Sequence, residues 1–182
     1  MRHILIVFAS SHGQTRAVVE AIERVLQSRH FIVEMVDCSR QTPPSPEKAD
    51  AVVLASRIQF GHHASSVLGY IRQHRAALEA KPTVFVSVSM AAADGGNDPN
   101  GYLAATFEAV AWKPTKSYAV AGKLAYRSYN WFLRFIMKRI SQAAGHSTDT
   151  SRDHEYTNWD RVASIAAEIA TLAPHGEEQH AS

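Results

Sequence analysis

Residues 2–9 form an unbroken β-prone run, with none of the alternation of a half-exposed strand, the pattern of a strand buried on both faces of a parallel sheet. Over 15–29 the period changes. Val18, Ala21, Ile22, Val25 and Leu26 recur at helical spacing with Glu20, Glu23 and Arg24 on the other side, which predicts an amphipathic helix. Apolar runs at 31–36, 50–56, 83–89 and 117–121 predict four further strands. Residues 64–78 and 102–110 predict helices, whereas 37–48, with Pro43, Pro44 and Pro46, is too proline-rich for a regular one. A turn region rich in Gly, Asn and Pro occupies 94–101. The last helix is expected over 158–172, with Val162, Ile165, Ala166, Ile169 and Ala170 on one face, followed by a frayed tail at 174–182.

Strands alternating with helices call for an α/β fold with a parallel sheet covered on both faces, and right-handed crossovers make it doubly wound. Five strands fit the flavodoxin-like order 2-1-3-4-5 in a single domain over 1–173. Ligands in such sheets sit at the carboxyl ends of the strands near the switch point between the first and third, so the loops after strands one, three and four are the candidate site.

Composition adds exclusions. With 182 residues, 46% hydrophobic and 20% charged, the chain reads as one globular domain, neither disordered nor fibrous. No apolar stretch approaches the ~20 residues that span a bilayer. No small-residue cleavage site follows Ile4 to Phe8, so a signal peptide is not expected and a cytoplasmic location is. A single cysteine, Cys38, excludes an intramolecular disulfide and a cysteine-based metal site.

Charge matters by region. Residues 112–152 hold eight basic side chains (Lys113, Lys116, Lys123, Arg127, Arg134, Lys138, Arg139, Arg152) against Asp149, a balance of +7, so the rest of this +2 chain carries −5. Such asymmetry is either a solvated face or a surface for an anion: a membrane, a carboxylate-bearing substrate or nucleic acid.

After the first strand, Ser10, Ser11, His12, Gly13, Gln14 and Thr15 offer hydroxyls, an amide and backbone N–H groups at a helix start, with no carboxylate. Those donors suit a phosphate, although Ser10 or Ser11 serves equally as a helix cap. Neither the P-loop pattern nor GxGxxG is present, which favours a monophosphate such as that of FMN. After the third strand, Ser56, Arg57, Ile58, Gln59, Phe60, Gly61, His62 and His63 combine an aromatic, a glycine and two histidines, a composition that suits a flat isoalloxazine ring. Adjacent histidines without a carboxylate or cysteine nearby do not suggest a metal. Ser87, Val88, Ser89 and Met90 end the fourth strand with residues that let backbone approach the ring's other edge.

Between the fifth strand and the last helix, 122–156 interposes about 35 residues where the minimal fold needs a short loop. A helical wheel over 131–144 places Leu133, Ile136, Met137, Ile140 and Ala144 on one face and Trp131, Phe135, Lys138 and Gln142 opposite, flanked by Arg134. Aromatics beside cations fit a membrane interface or the wall of a pocket for a flat anion; a two-sided buried helix is the plainer alternative. No nucleic-acid recognition module accompanies the cations, so nucleic acid is not expected.

Several motifs together carry a resemblance: Gly13-Gln14-Thr15-Arg16, Ala55-Ser56-Arg57-Ile58-Gln59-Phe60-Gly61-His62, Ser87-Val88, Trp112-Lys113-Pro114, Ala121-Gly122-Lys123-Leu124-Ala125-Tyr126, Tyr129-Asn130-Trp131, Arg134-Phe135, Ile136-Met137-Lys138, Thr148-Asp149-Thr150 and Tyr156-Thr157-Asn158-Trp159. The chain resembles the flavodoxin-like, quinone-dependent protoporphyrinogen IX dehydrogenases of bacterial haem synthesis over nearly its whole length, including the insertion that ordinary flavodoxins lack. The resemblance implies removal of six electrons and six protons from protoporphyrinogen IX through FMN to a membrane quinone. It implies that 10–15 hold the FMN phosphate and that 56–61 and 87–90 border its ring. Arg127, Trp131, Arg134, Phe135 and Lys138 would meet substrate or an anionic membrane surface, placing the protein peripherally on the cytoplasmic face of the inner membrane. His62 is the nearest candidate for a protein base, and homo-oligomerisation is left open. His12 stands where the family usually has aspartate, Gln59-Phe60 replaces an arginine-tyrosine pair, and 91–101 is less basic than usual, departures that bear on the substrate more than on the flavin. The rival readings are an FMN-dependent NAD(P)H:quinone reductase and a flavodoxin-like module without catalysis.

Overall fold

The structure, a computed structural model, describes residues 2–11, 13–89, 98, 101–121, 123–124, 154–155 and 157–173. His12, Met90, Arg127, Trp131, Arg134, Phe135 and Lys138, and the helix expected over 131–144, lie outside them.

Strands β1 (His3–Ala9), β2 (Ile32–Asp37), β3 (Ala51–Gln59), β5 (Thr83–Ser89) and β6 (Lys116–Ala121) form a parallel sheet in the order β2-β1-β3-β5-β6, the topology read from the sequence. A sixth, two-residue strand, β4 (His62–His63), pairs antiparallel with the end of β3. Helices α1 (Gln14–Ser28), α2 (Ser65–Gln73), α3 (Arg75–Glu79), α4 (Tyr102–Val110) and α5 (Trp159–Leu172) cover the sheet. Alternate residues of β1 feed two cores: Ile4, Ile6 and Phe8 pack with α1 and α5, and Leu5, Val7 and Ala9 with α2 and α4. That division explains the unbroken apolar run, since neither face of the strand meets water. Asn158 caps α5, its Oδ1 accepting from the Arg161 backbone N–H at 2.9 Å, and the helix buries the apolar face expected of it.

Two boundaries differ from the sequence reading. The helix expected over 64–78 breaks at His74, whose backbone leaves the helical region (φ −114°, ψ 20°) while its ring tilts onto Tyr70 at 4.6 Å; the chain restarts as α3 and buries Leu78. The third strand runs past 56 to Gln59, because β4 folds back and continues its ladder through Ile58↔His63 and Gln59↔His62. At the borders of the insertion, β7 (Lys123–Leu124) and β8 (His154–Glu155) pair antiparallel, Lys123 opposite Glu155 and Leu124 opposite His154. The insertion therefore leaves and re-enters the fold at one place.

Candidate active site at the carboxyl ends of β1, β3 and β5

The loop after β1 turns through Gly13, whose φ of 86° favours glycine, and the space where a Cβ would stand is open to 4 Å. A glycine N-cap provides no side chain, and the first turn of α1 contains no acid, so the helix start faces outward with its dipole uncompensated by a carboxylate. Ser10 is nearly buried and its Oγ accepts a long 3.4 Å bond from the Arg16 N–H; Ser11 is exposed. Arg16 itself points elsewhere. Its guanidinium meets the buried Asp37 carboxylate at 3.2 Å and lies over the Phe8 ring. The cation that reaches this loop is Arg57 at the end of β3, whose Nε donates to Ser11 Oγ at 2.7 Å while another arm meets Gln59 Oε1. Two loops far apart in sequence are thus bridged by one guanidinium.

Next to Arg57 the chain reverses in two residues. Phe60 (φ 51°) and Gly61 (φ 81°) both have positive φ between paired Gln59 and His62, the geometry of a type I′ hairpin. Glycine suits its position; a bulky phenylalanine in the left-handed region does not, at a cost of about 1–2 kcal/mol. This strained Phe60 is also 69% exposed, so its ring is not there to fill a core. Strain combined with exposure makes Phe60 a candidate for contact with a ligand. Phe60→Asn is accordingly expected to raise stability to urea by roughly 1 kcal/mol, since asparagine tolerates this backbone, while weakening binding of a flat ring several-fold. Urea melts and ligand titration of the same variant check both; tighter binding or lower stability would count against this role.

The base of the hairpin is held by buried polar groups. Ser56 Oγ accepts from the Ala64 N–H at 2.9 Å and donates to the Arg57 carbonyl at 3.1 Å. His63, only 4% exposed, has Nδ1 2.7 Å from Thr106 Oγ1 on α4 and Nε2 2.9 Å from Ser87 Oγ on β5, with the Phe85 ring edge-on at 5.0 Å. Burial depresses the His63 pKa from 6.5 to about 4, the negative charge of Asp98 opposing the shift. The Asp98 carboxylate in turn accepts from the Leu103 and Ala104 N–H groups at the start of α4. On the same helix, Tyr102 lies so that a Cβ at Gly61 would meet its Cε1 at 3.8 Å, an ordinary contact.

Of the residues singled out from the sequence, the structure gathers Ser10, Ser11, Gly13, Arg57, Gln59, Phe60 and Gly61 at one end of the sheet. Ile58, Ser89 and the Gln14 side chain are half-buried there, and His62 is exposed beside the turn. Thr15, Ser56, Ser87 and Val88 point inward: the first is buried in the first turn of α1, Ser56 and Ser87 hold the hairpin, and Val88 packs in the core. Sequence reasoning counted His63 among the loop histidines without giving it a role of its own, and it passed over Thr106 and Thr157. Gln14 Nε2 donates to Thr157 Oγ1 at 2.6 Å, and that hydroxyl donates to the Ala121 carbonyl at 2.9 Å, tying the start of α1 to the re-entry of the insertion. Only its place in the Tyr156-Thr157-Asn158-Trp159 motif distinguished Thr157 in the sequence.

A separate cavity of about 450 Å³ lies between the loop after β2 and α2, lined by Cys38, Arg40, Ser66, Gly69, Tyr70 and His74. Burial raises the Cys38 thiol pKa above its usual value, opposed in part by the hydrogen bond from its Sγ to Ser66 Oγ at 3.3 Å. Among the described residues no three His, Cys, Asp or Glu side chains gather as metal ligands, and no helix is long and apolar enough to cross a membrane.

A carboxylate-free helix start with a nearby guanidinium, followed by an exposed aromatic on a hairpin, fits a ligand with a phosphate and a flat ring system. Comparison with known proteins points the same way. Residues 5–151 match the flavodoxin domain family. The chain is 31% identical over 171 residues to a protoporphyrinogen IX dehydrogenase (quinone) of Escherichia coli K12, covering 92% of this chain and 94% of that protein. It is 28% identical over 175 residues to a protein of the same name from Leishmania major, covering 92% and 74%. Flavodoxin 1 of Bacillus cereus shares the fold, with a TM-score of 0.57 at 13% identity over 93% of this chain and 97% of the flavodoxin.

Proposed function

Because the chain belongs to the flavodoxin domain family and to the protoporphyrinogen IX dehydrogenases (quinone), we propose that it oxidises protoporphyrinogen IX to protoporphyrin IX, passing the electrons to a membrane quinone. Its cofactor is a flavin, and FMN is the form proposed here. The observation in the structure that supports the flavin part of this reading is the Arg57 bridge to Ser11, which joins the loop proposed to receive the phosphate to an exposed aromatic hairpin at the switch point of the sheet.

Bound in this site, the flavin supplies the two-electron chemistry that no side chain of the chain provides. Ser10, Ser11 and the backbone N–H groups of 13–15 receive the phosphate, and Arg57 adds a positive charge beside it. Gln14 orients the start of α1 through Thr157. Ile58, Gln59, Phe60, Gly61 and Ser89 would border the ring, Ser56, Ser87 and Val88 would support them from within, and His12 and Met90 would belong to the same two loops. His62, exposed beside the turn, takes a proton from the porphyrinogen. Arg127, Trp131, Arg134, Phe135 and Lys138 receive the substrate's carboxylates and anionic lipid, holding the protein peripherally on the cytoplasmic face of the membrane.

The test is anaerobic addition of protoporphyrinogen IX to FMN-loaded protein. Bleaching of the flavin band with appearance of porphyrin fluorescence, then recovery of the band on adding a quinone, is the expected result. A flavin that stays oxidised with porphyrinogen and bleaches with NAD(P)H would replace this reading with a nicotinamide-dependent quinone reductase. A protein that takes up no flavin would leave only a binding module.

A further inference from the structure

We propose that His63 is a positioning residue of the flavin site: by bridging Ser87 on β5 and Thr106 on α4, it holds the Phe60-Gly61 turn where the flavin ring is received, so that flavin affinity and potential depend on its two hydrogen bonds. The inference rests on the flavin reading above. Its starting point is that the hairpin is too small to hold itself. Only two cross-strand pairs, Ile58↔His63 and Gln59↔His62, join β3 to β4, and a hairpin of that size is unstable alone even before the strain of Phe60 is added.

The restraint must come from outside the ladder. Ser56 fixes the return of the chain at Ala64, beyond β4. Within β4 only His63 reaches inward, because successive side chains of a strand face opposite ways: His62 is exposed and His63 buried. Its two partners stand on different elements. Ser87 lies in β5 opposite Ser56 in the sheet register, and Thr106 lies one turn along α4 from Tyr102, the residue that neighbours Gly61. A neutral imidazole donates with one nitrogen and accepts with the other, and each hydroxyl can complement it, so both bonds are made at once. An apolar side chain of the same bulk would fill the volume and leave the hairpin free to shift along it. Directional bonds specify where the turn sits.

The experiment uses the full chain. Apoprotein is titrated with FMN by fluorescence quenching, and the visible spectrum and midpoint potential of the bound flavin are recorded, for wild type, His63→Leu, Thr106→Val and the double variant. His63→Leu is expected to weaken FMN binding about tenfold and displace the spectrum and potential, Thr106→Val to weaken it about threefold, and the double variant to resemble His63→Leu alone, since the bond is lost only once. His63→Gln, which keeps one donor and one acceptor, should recover part of the affinity. Variants that lose stability to urea while FMN affinity, spectrum and potential stay at wild-type values would overturn the inference and leave the flavin reading standing. Should His63→Leu not fold, Thr106→Val decides by the same criteria. Failure of the wild type to bind FMN overturns the inference together with the reading beneath it.

Discussion

Lowering the pH from 7 to 4 is expected to cost the wild type about 3 kcal/mol more folding stability than it costs a His63→Leu variant. The buried imidazole titrates near 4 in the fold, against 6.5 in an unfolded chain. Between those values the unfolded state binds a proton that the folded state excludes, so stability falls as the pH falls. At 1.36 kcal/mol per pH unit over that interval the loss reaches about 3 kcal/mol, and below about 4 the folded site also protonates and the loss stops growing. Desolvation is the cause: the ring sits among Phe85, Ser87 and Thr106 with no carboxylate in direct contact among the described residues, and the field of Asp98 offsets only part of the penalty. Urea unfolding at closely spaced pH values measures the difference, and the His63 ring resonances report the titration directly. Parallel curves for the two proteins, or a folded His63 titrating near 6.5, would show that the imidazole is not shielded as its contacts require.

The second large effect separates flavin binding from turnover. Excising residues 125–153 and joining Leu124 to His154 through an Asn-Gly turn should leave FMN affinity within about threefold of wild type and lower porphyrinogen oxidation by roughly 100-fold or more. The β7–β8 register makes the excision feasible: Leu124 and His154 are an antiparallel pair, so a two-residue turn closes the gap without moving β6 or α5. The bonds joining Gln14, Thr157 and Ala121 lie outside the removed segment and should persist. What goes is a segment containing Arg127, Arg134, Lys138, Arg139 and Arg152 together with Trp131 and Phe135. A substrate with two propionates would lose charge-assisted contacts worth about 1.5 kcal/mol or more each, which compounds to roughly 100-fold. Steady-state rates with porphyrinogen and quinone, set beside FMN titrations, provide the comparison. Undiminished oxidation would remove the insertion from the substrate site, and loss of FMN binding would show that it supports the flavin fold itself.

Both effects depend on features of unequal legibility. Doubly wound topology was readable because it follows from local signals: a strand buried on two faces has no polar alternation, as 2–9 shows, and an amphipathic helix repeats every three to four residues, as Val18, Ile22, Val25 and Leu26 do. The order of those elements then restricted the site to three loops, and length and charge marked out the insertion. Within the loops the reading was coarser. The reversal at Phe60-Gly61 was hidden because phenylalanine does not advertise a left-handed backbone, although the glycine after it suits one. The bond from Gln14 to Thr157 joins residues 143 positions apart, and no periodicity reports such a contact.

His62 and His63 put the division most sharply. As a sequence they are two identical residues in a row, and chemistry alone gave no reason to choose between them, so the exposed role and the buried role were indistinguishable. Composition and period determined this protein's strands, helices, layer order and the end of the sheet where the candidate site lies, because burial on a strand or helix face repeats locally. Tertiary pairing decided the rest. Once Ile58 pairs with His63 and Gln59 with His62, one imidazole faces solvent beside the turn and the other is sealed between β5 and α4; a slip of one residue in that register would exchange them.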